Sequence, residues 1–65
     1  MRIFVNGEAA DVKATTLHEV LGELGYVGDA VATALNEEFV AATARETQPI
    51  SNNDRLEIVA PMQGG

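Results

Sequence analysis

One helical stripe constrains this chain more than any other feature. Leu17, Val20, Leu21 and Leu24 recur at i, i+3, i+4 and i+7, on a single face of an α-helix. His18, Glu19, Gly22 and Glu23 fall off that face. Thr16 and Glu19 have the spacing of a capping box, in which each side chain satisfies a backbone N–H at the helix start. Gly25 stands where a left-handed C-terminal cap is expected. A helix with one apolar face must bury it, and the flanking segments read as strands. The helix is therefore expected to cover one face of one sheet.

Arg2 to Val5 has the β-branched and aromatic side chains of a strand, and Asn6-Gly7 follows at once. Asn-Gly is the strongest short hairpin signal, because both residues tolerate positive φ. Glu8 to Val12 is then the returning strand. Alternation puts Ile3 and Val5 on the helix face and Phe4 on the other. After the helix, Tyr26 to Asp29 reads as a connection and Ala30 to Leu35 as a third strand whose facing is open. Asn36-Glu37-Glu38 reads as a turn and Phe39-Val40 as a fourth strand. Ala41 to Glu46 is ambiguous, Gln48-Pro49 breaks regular structure, and Asn52-Asn53-Asp54 is a second turn cluster. Leu56 to Ala60 is the last strand, with Leu56, Ile58 and Ala60 facing the helix and Val59 facing away. Pro61 stops it.

This order predicts an α+β chain of the β-grasp type. A mixed sheet of four to five strands carries one main helix on one face, and the last strand returns to the sheet centre as that topology is known to do. The division is residues 1–61 as the domain and residues 62–65 as a flexible tail ending in Gly-Gly. With 65 residues there is one domain at most, and little room for both a core and a deep catalytic cleft. An apolar fraction of 46% is enough for a compact core without disulfides.

Composition narrows function further. The chain has no cysteine, which excludes a disulfide framework, a thiolate metal site and a cysteine nucleophile. Ten acids against Arg2, Lys13, Arg45 and Arg55 give a formal charge of −6. That argues against nucleic acid and fits a basic protein partner or plain solubility. There is no signal-like start and no apolar run near the ~20 residues of a membrane span. A cytoplasmic protein, monomeric when free and without membrane contact, is expected.

No constellation for catalysis stands out. His18 is the single histidine and lies on the polar helix face, where a solvated role is expected. It has no partner for a metal site. Glu37-Glu38 sits in a turn with nothing to desolvate it. The threonines and Ser51 lack a base to activate a hydroxyl. Gly22, Gly25 and Gly28 do not form a phosphate loop. No catalytic residue, metal or bound cofactor is expected in the chain.

The tail is different. Met62-Gln63-Gly64-Gly65 carries no charged side chain in an acidic protein and comes after a strand and a proline. Extended, four residues reach about 13 Å. A bare diglycine fits a narrow channel where any Cβ would clash. The terminal carboxylate is ionised at neutral pH and resists nucleophiles. An ATP-using partner could convert it to an acyl-adenylate, and sulfur transfer would then give a thiocarboxylate. Without cysteine, Gly65 is the place to carry reactive sulfur. Phe4 and Val59, with Pro61 and, depending on its strand's facing, Leu35, are the candidates for an apolar docking patch beside the tail.

Along its whole length the sequence resembles the ThiS family, the sulfur carriers of thiamine thiazole biosynthesis. The segments that carry the resemblance are Val5-Asn6-Gly7-Glu8, Thr16-Leu17-x-Glu19-x-Leu21 and Ala32-Thr33-Ala34-Leu35-Asn36. Asp54-Arg55-Leu56-Glu57-Ile58-Val59 and Gln63-Gly64-Gly65 complete the set. The resemblance implies a ubiquitin-like β-grasp fold and a carrier rather than an enzyme. It implies adenylation of Gly65 by an E1-like enzyme using ATP and Mg, sulfur from a donating enzyme, and delivery to thiazole synthase. Three departures are local: Asn53 where glycine is common, no proline in Ala41-Ala42-Thr43-Ala44, and the Pro61-Met62 approach to the tail. The alternatives are the small subunit of molybdopterin synthase, another β-grasp sulfur carrier, and a ubiquitin-like modifier or binding module.

Overall fold

The structure is a computed structural model and describes residues 1–26 and 30–60. Its elements run β1 (Arg2–Val5), β2 (Glu8–Asp11), α1 (Leu17–Glu23), β3 (Ala32–Leu35), β4 (Glu38–Val40), a 3-10 helix (Ala42–Thr47) and β5 (Arg55–Val59). The five strands form one sheet in the order β2-β1-β5-β3-β4. β5 is central, parallel to β1 and antiparallel to β3. The α+β, β-grasp expectation holds, with α1 packed on one face.

Each element has a local cause. Asn6 and Gly7 take φ of 51° and 87°, as a two-residue hairpin between β1 and β2 requires. The β2 ladder ends at Asp11, but Val12 still exchanges hydrogen bonds with Met1 at 2.8 and 3.1 Å. Thr16 caps α1 by accepting from the Glu19 N–H at 3.3 Å. Glu19 reaches back one residue further than expected, to the Thr15 N–H and hydroxyl, both at 3.3 Å. At the other end Tyr26 N–H bonds Leu21 C=O at 2.8 Å and Gly25 N–H bonds Gly22 C=O at 3.2 Å. That is the Schellman pattern, with Gly25 left-handed at φ 93°.

The helix stripe is buried as its spacing predicts: Leu17, Val20 and Leu21 are core residues, and Leu24 packs against them. Ile3, Leu35, Val40, Leu56 and Ile58 meet them from the sheet. Thr33 is the buried polar side chain of this core. Its hydroxyl donates to Val40 C=O at 2.9 Å and accepts from Arg45 Nε at 3.1 Å. Arg45 also donates to Val31 C=O at 2.6 Å. The ambiguous segment is thus a 3-10 helix tied down by Arg45, with no buried side chain of its own. Ile50, in the loop beyond it, is core as well, and its N–H bonds Thr15 C=O at 2.9 Å.

The third strand is shorter than Ala30 to Leu35, beginning at Ala32, and the sheet decides its facing. Thr33 and Leu35 point to the helix, and Ala32 and Ala34 point away. Ala60 lies past the end of β5 and is exposed, rather than facing the helix, because no ladder partner remains to orient it. The connection over residues 27–29 lies outside the described residues. Among the described residues no helix is long and apolar enough to cross a membrane.

Candidate functional site: the tail-bearing end of the central strand

The chain leaves the described structure from β5, at the middle of the sheet. On the β3 side, backbone pairing runs to the strand's last residue, through Thr33↔Ile58 and Ala32↔Val59. On the β1 side it ends at Val5↔Leu56. Asn6 stands at this corner and holds Ile58 through its side chain, with Ile58 N–H to Oδ1 at 2.9 Å and Nδ2 to Ile58 C=O at 3.2 Å. A central strand cannot swing, because moving it breaks bonds on two sides. The chain beyond Val59 therefore starts from a strand held on both flanks. Gly65, Gly64, Gln63, Met62 and Pro61 lie outside the described residues.

The outer sheet face surrounds this strand. Glu57, Ala34 and Phe39 form one cross-strand row over β5, β3 and β4, and Val59 with Ala32 forms the next. The rows are about 7 Å apart along the strands. Val59 is 62% exposed and Phe39 73% exposed. Together with Ala32 and Ala34 they make an apolar surface on the tail side of the sheet.

This corrects the expected patch. Leu35 is only 7% exposed and belongs to the core, since it pairs with Leu56 on the helix face. Phe4 does face outward, but it is half-buried and sits across from Arg55. Val59 is four residues further along β5, about 13 Å away, with Arg55 and Glu57 between. Phe4 instead lines a groove of about 480 Å³ with Gly7, Glu37, Arg55, Leu56 and Glu57. Sequence reasoning does not single out Phe39 as an exposed apolar residue of this face, although the alternation Glu38-Phe39-Val40 contains the signal once Val40 is known to face inward.

The remaining polar residues are solvated. His18 and Glu46 approach at 4.0 Å with both side chains exposed. Arg55 and Glu37 do so at 3.9 Å. Such surface pairs contribute ~0–1 kcal/mol. Glu19 is held below its ordinary range, first by the Thr15 backbone N–H and then by the Thr15 hydroxyl. That is a helix-capping effect rather than a tuned acid. Among the described residues no group of three His, Cys, Asp or Glu side chains could hold a metal ion.

A five-stranded mixed sheet with one α-helix packed on one face and the last strand at its centre defines the ubiquitin-like β-grasp class. The particular family emerges from comparison with known proteins. The ThiS family model matches residues 2–65, and the chain belongs to that family. It is 40% identical to the sulfur carrier protein ThiS of Thermus thermophilus over 63 residues, covering 97% of this chain and 98% of that one. It is 36% identical over 66 residues to a thiazole synthase of Paramagnetospirillum magneticum, covering all of this chain but 20% of that protein. The crystal structure of the thiamine biosynthesis protein ThiS from Geobacter metallireducens superposes with a TM-score of 0.81 at 28% identity, each chain covered completely.

Proposed function

We propose that this protein is the sulfur carrier of thiamine thiazole formation, acting through the Gly65 carboxylate as a co-substrate of partner enzymes rather than as a catalyst. The observation that carries this reading is the placement of β5 at the sheet centre, in a chain whose family match runs through Gly65. A rigid domain then presents a thin diglycine end to an enzyme channel.

The chemistry is two displacements. The Gly65 carboxylate attacks the α-phosphorus of ATP, held with Mg by an E1-like partner, and pyrophosphate leaves. The acyl-adenylate is then attacked at its acyl carbon by hydrosulfide sulfur supplied by a donating enzyme. AMP leaves and a thiocarboxylate remains, with no oxidant or reductant needed. Thiazole synthase is the proposed acceptor. The thiazole synthase relative, a fifth of whose length is a segment like this whole chain, supports that pairing. Gly64, Gln63 and Met62 form the part of the tail threaded into partners. Val59, Phe39, Ala32 and Ala34, with Pro61 beyond them, are the proposed docking surface, and Phe4 is a separate contact.

Deleting Gly65 tests the reading. The carboxylate passes to Gly64 but retracts by about 3.5 Å, and a displacement of even 1 Å can cost on the order of 10²-fold in a positioned reaction. The deletion should fold normally and gain no sulfur when incubated with the activating enzyme, ATP–Mg and sulfide. Wild type should show one oxygen-to-sulfur exchange by intact mass, mapping to its C-terminal fragment. Equal loading of the deletion variant, or sulfur found elsewhere, would overturn the proposal.

A further inference from the structure

The two flanks of β5 are held by different means near the tail. Toward β3 the main chain pairs as far as Val59. Toward β1 the last main-chain bond is Asn6 N–H to Leu56 C=O at 2.9 Å, after which the chain turns away through Asn6 and Gly7. A parallel ladder that continued would give Ile58 an acceptor for its N–H and a donor for its C=O. One side-chain amide supplies both: Asn6 Oδ1 accepts from Ile58 N–H at 2.9 Å, and Asn6 Nδ2 donates to Ile58 C=O at 3.2 Å. The amide orientation is decided by this pair of contacts, because exchanging O and N would set like groups against each other at both.

Asn6 thus has two separable duties. Its left-handed backbone, φ 51°, builds the hairpin, which glycine would do as well. Its amide is needed for nothing in the hairpin and is spent wholly on β5. We infer that Asn6 is a positioning residue for loading of the chain end: its amide keeps the tail-bearing end of β5 inside the sheet and so sets where the tail begins. The inference rests on the carrier reading above. Without the amide, Ile58 and Val59 are held from the β3 side alone, and the end of a central strand becomes an edge.

The molecule contains its own control. Asn36 has the same φ of 51° in the β3–β4 turn and also braces β5, with Arg55 N–H to its Oδ1 at 2.9 Å and its Nδ2 to Asp54 Oδ1 at 3.0 Å. That brace lies at the opposite end of the strand, away from the tail.

The experiment compares wild type with Asn6→Gly, Asn6→Asp and Asn36→Gly. Each is given the cell's activating enzyme and ATP–Mg, pyrophosphate release is followed, and amide hydrogen exchange is measured on the free carrier. Asn6→Gly should keep the turn, speed exchange at Ile58 N–H, and lower kcat for adenylation by about tenfold to a hundredfold with KM unchanged. Asn6→Asp, which keeps the acceptor but turns a carboxylate oxygen toward Ile58 C=O, should lower kcat in the same direction. Asn36→Gly should load at the wild-type rate. Wild-type kcat in Asn6→Gly, or an equal fall in Asn36→Gly, would overturn the inference. A wild-type carrier that releases no pyrophosphate would instead overturn the carrier reading itself.

Discussion

Asn6 and Asn36 show how much one residue type can do when its backbone is left-handed. Both turn the chain and both return a side-chain amide to the central strand. Asn53, at φ 71°, does a related task with its backbone, donating to Arg2 C=O at 2.7 Å. Asparagine tolerates this region where most side chains do not, so the turn at Asn53 forms without a glycine. Glu19 yields a prediction at this scale. Its carboxylate is stabilised as the anion by Thr15, so its folded pKa lies below the ordinary 4.5. A depressed carboxylate contributes stability above its unfolded pKa and loses it as pH falls through the folded one. In denaturant titrations Glu19→Gln should therefore be less stable than wild type at pH 7, and the gap should close as pH falls below 4.5.

At the scale of elements, α1 is a short helix whose stability comes from its ends and its buried face rather than from propensity. The stripe, the N-cap and the glycine cap are all legible in the sequence, because each is a local pattern of spacing. Leu21 belongs to both the buried face and the C-terminal cap, since its side chain is 6% exposed and its carbonyl closes the Schellman motif. Leu21→Ala should cost about 2–5 kcal/mol, measured by thermal or chemical unfolding. In a domain of this size, with ~5 kcal/mol in total, that brings it close to unfolding. An unchanged melting curve would refute the packing described. Ile50 and Arg45 are not legible in the same way. Ile50 is a lone apolar residue in a loop with no period to mark it. Arg45 acts only because the 3-10 helix lies beside the start of β3.

For the molecule as a whole, the arrangement of strands decides what a partner meets. Phe39 is the most exposed large apolar side chain described, at 73%, and it sits on the edge strand β4 in line with Ala34 and one row from Val59. Because it packs little, Phe39→Ala should leave the melting temperature unchanged while weakening binding to the activating enzyme by roughly tenfold, by calorimetry or surface binding. Equal affinity would remove this surface from the docking face. The net charge of −6 should speed association with a basic partner, an effect that fades with salt. Helix stripe, hairpin, strand alternation and the diglycine end are written in near-neighbour residues, so chain order and side-chain chemistry suffice for α1, the β1–β2 hairpin, the approximate later strands and the candidate carrier end, but not for the 3-10 helix Ala42–Thr47 or the exact bounds of β3 and β5. Which face β3 turns inward, the burial of Leu35, the distance between Phe4 and Val59, and the bracing of Ile58 by Asn6 depend on register between segments up to 52 residues apart. Local spacing cannot encode that register; only the packed sheet, with β5 drawn between β1 and β3, decides it.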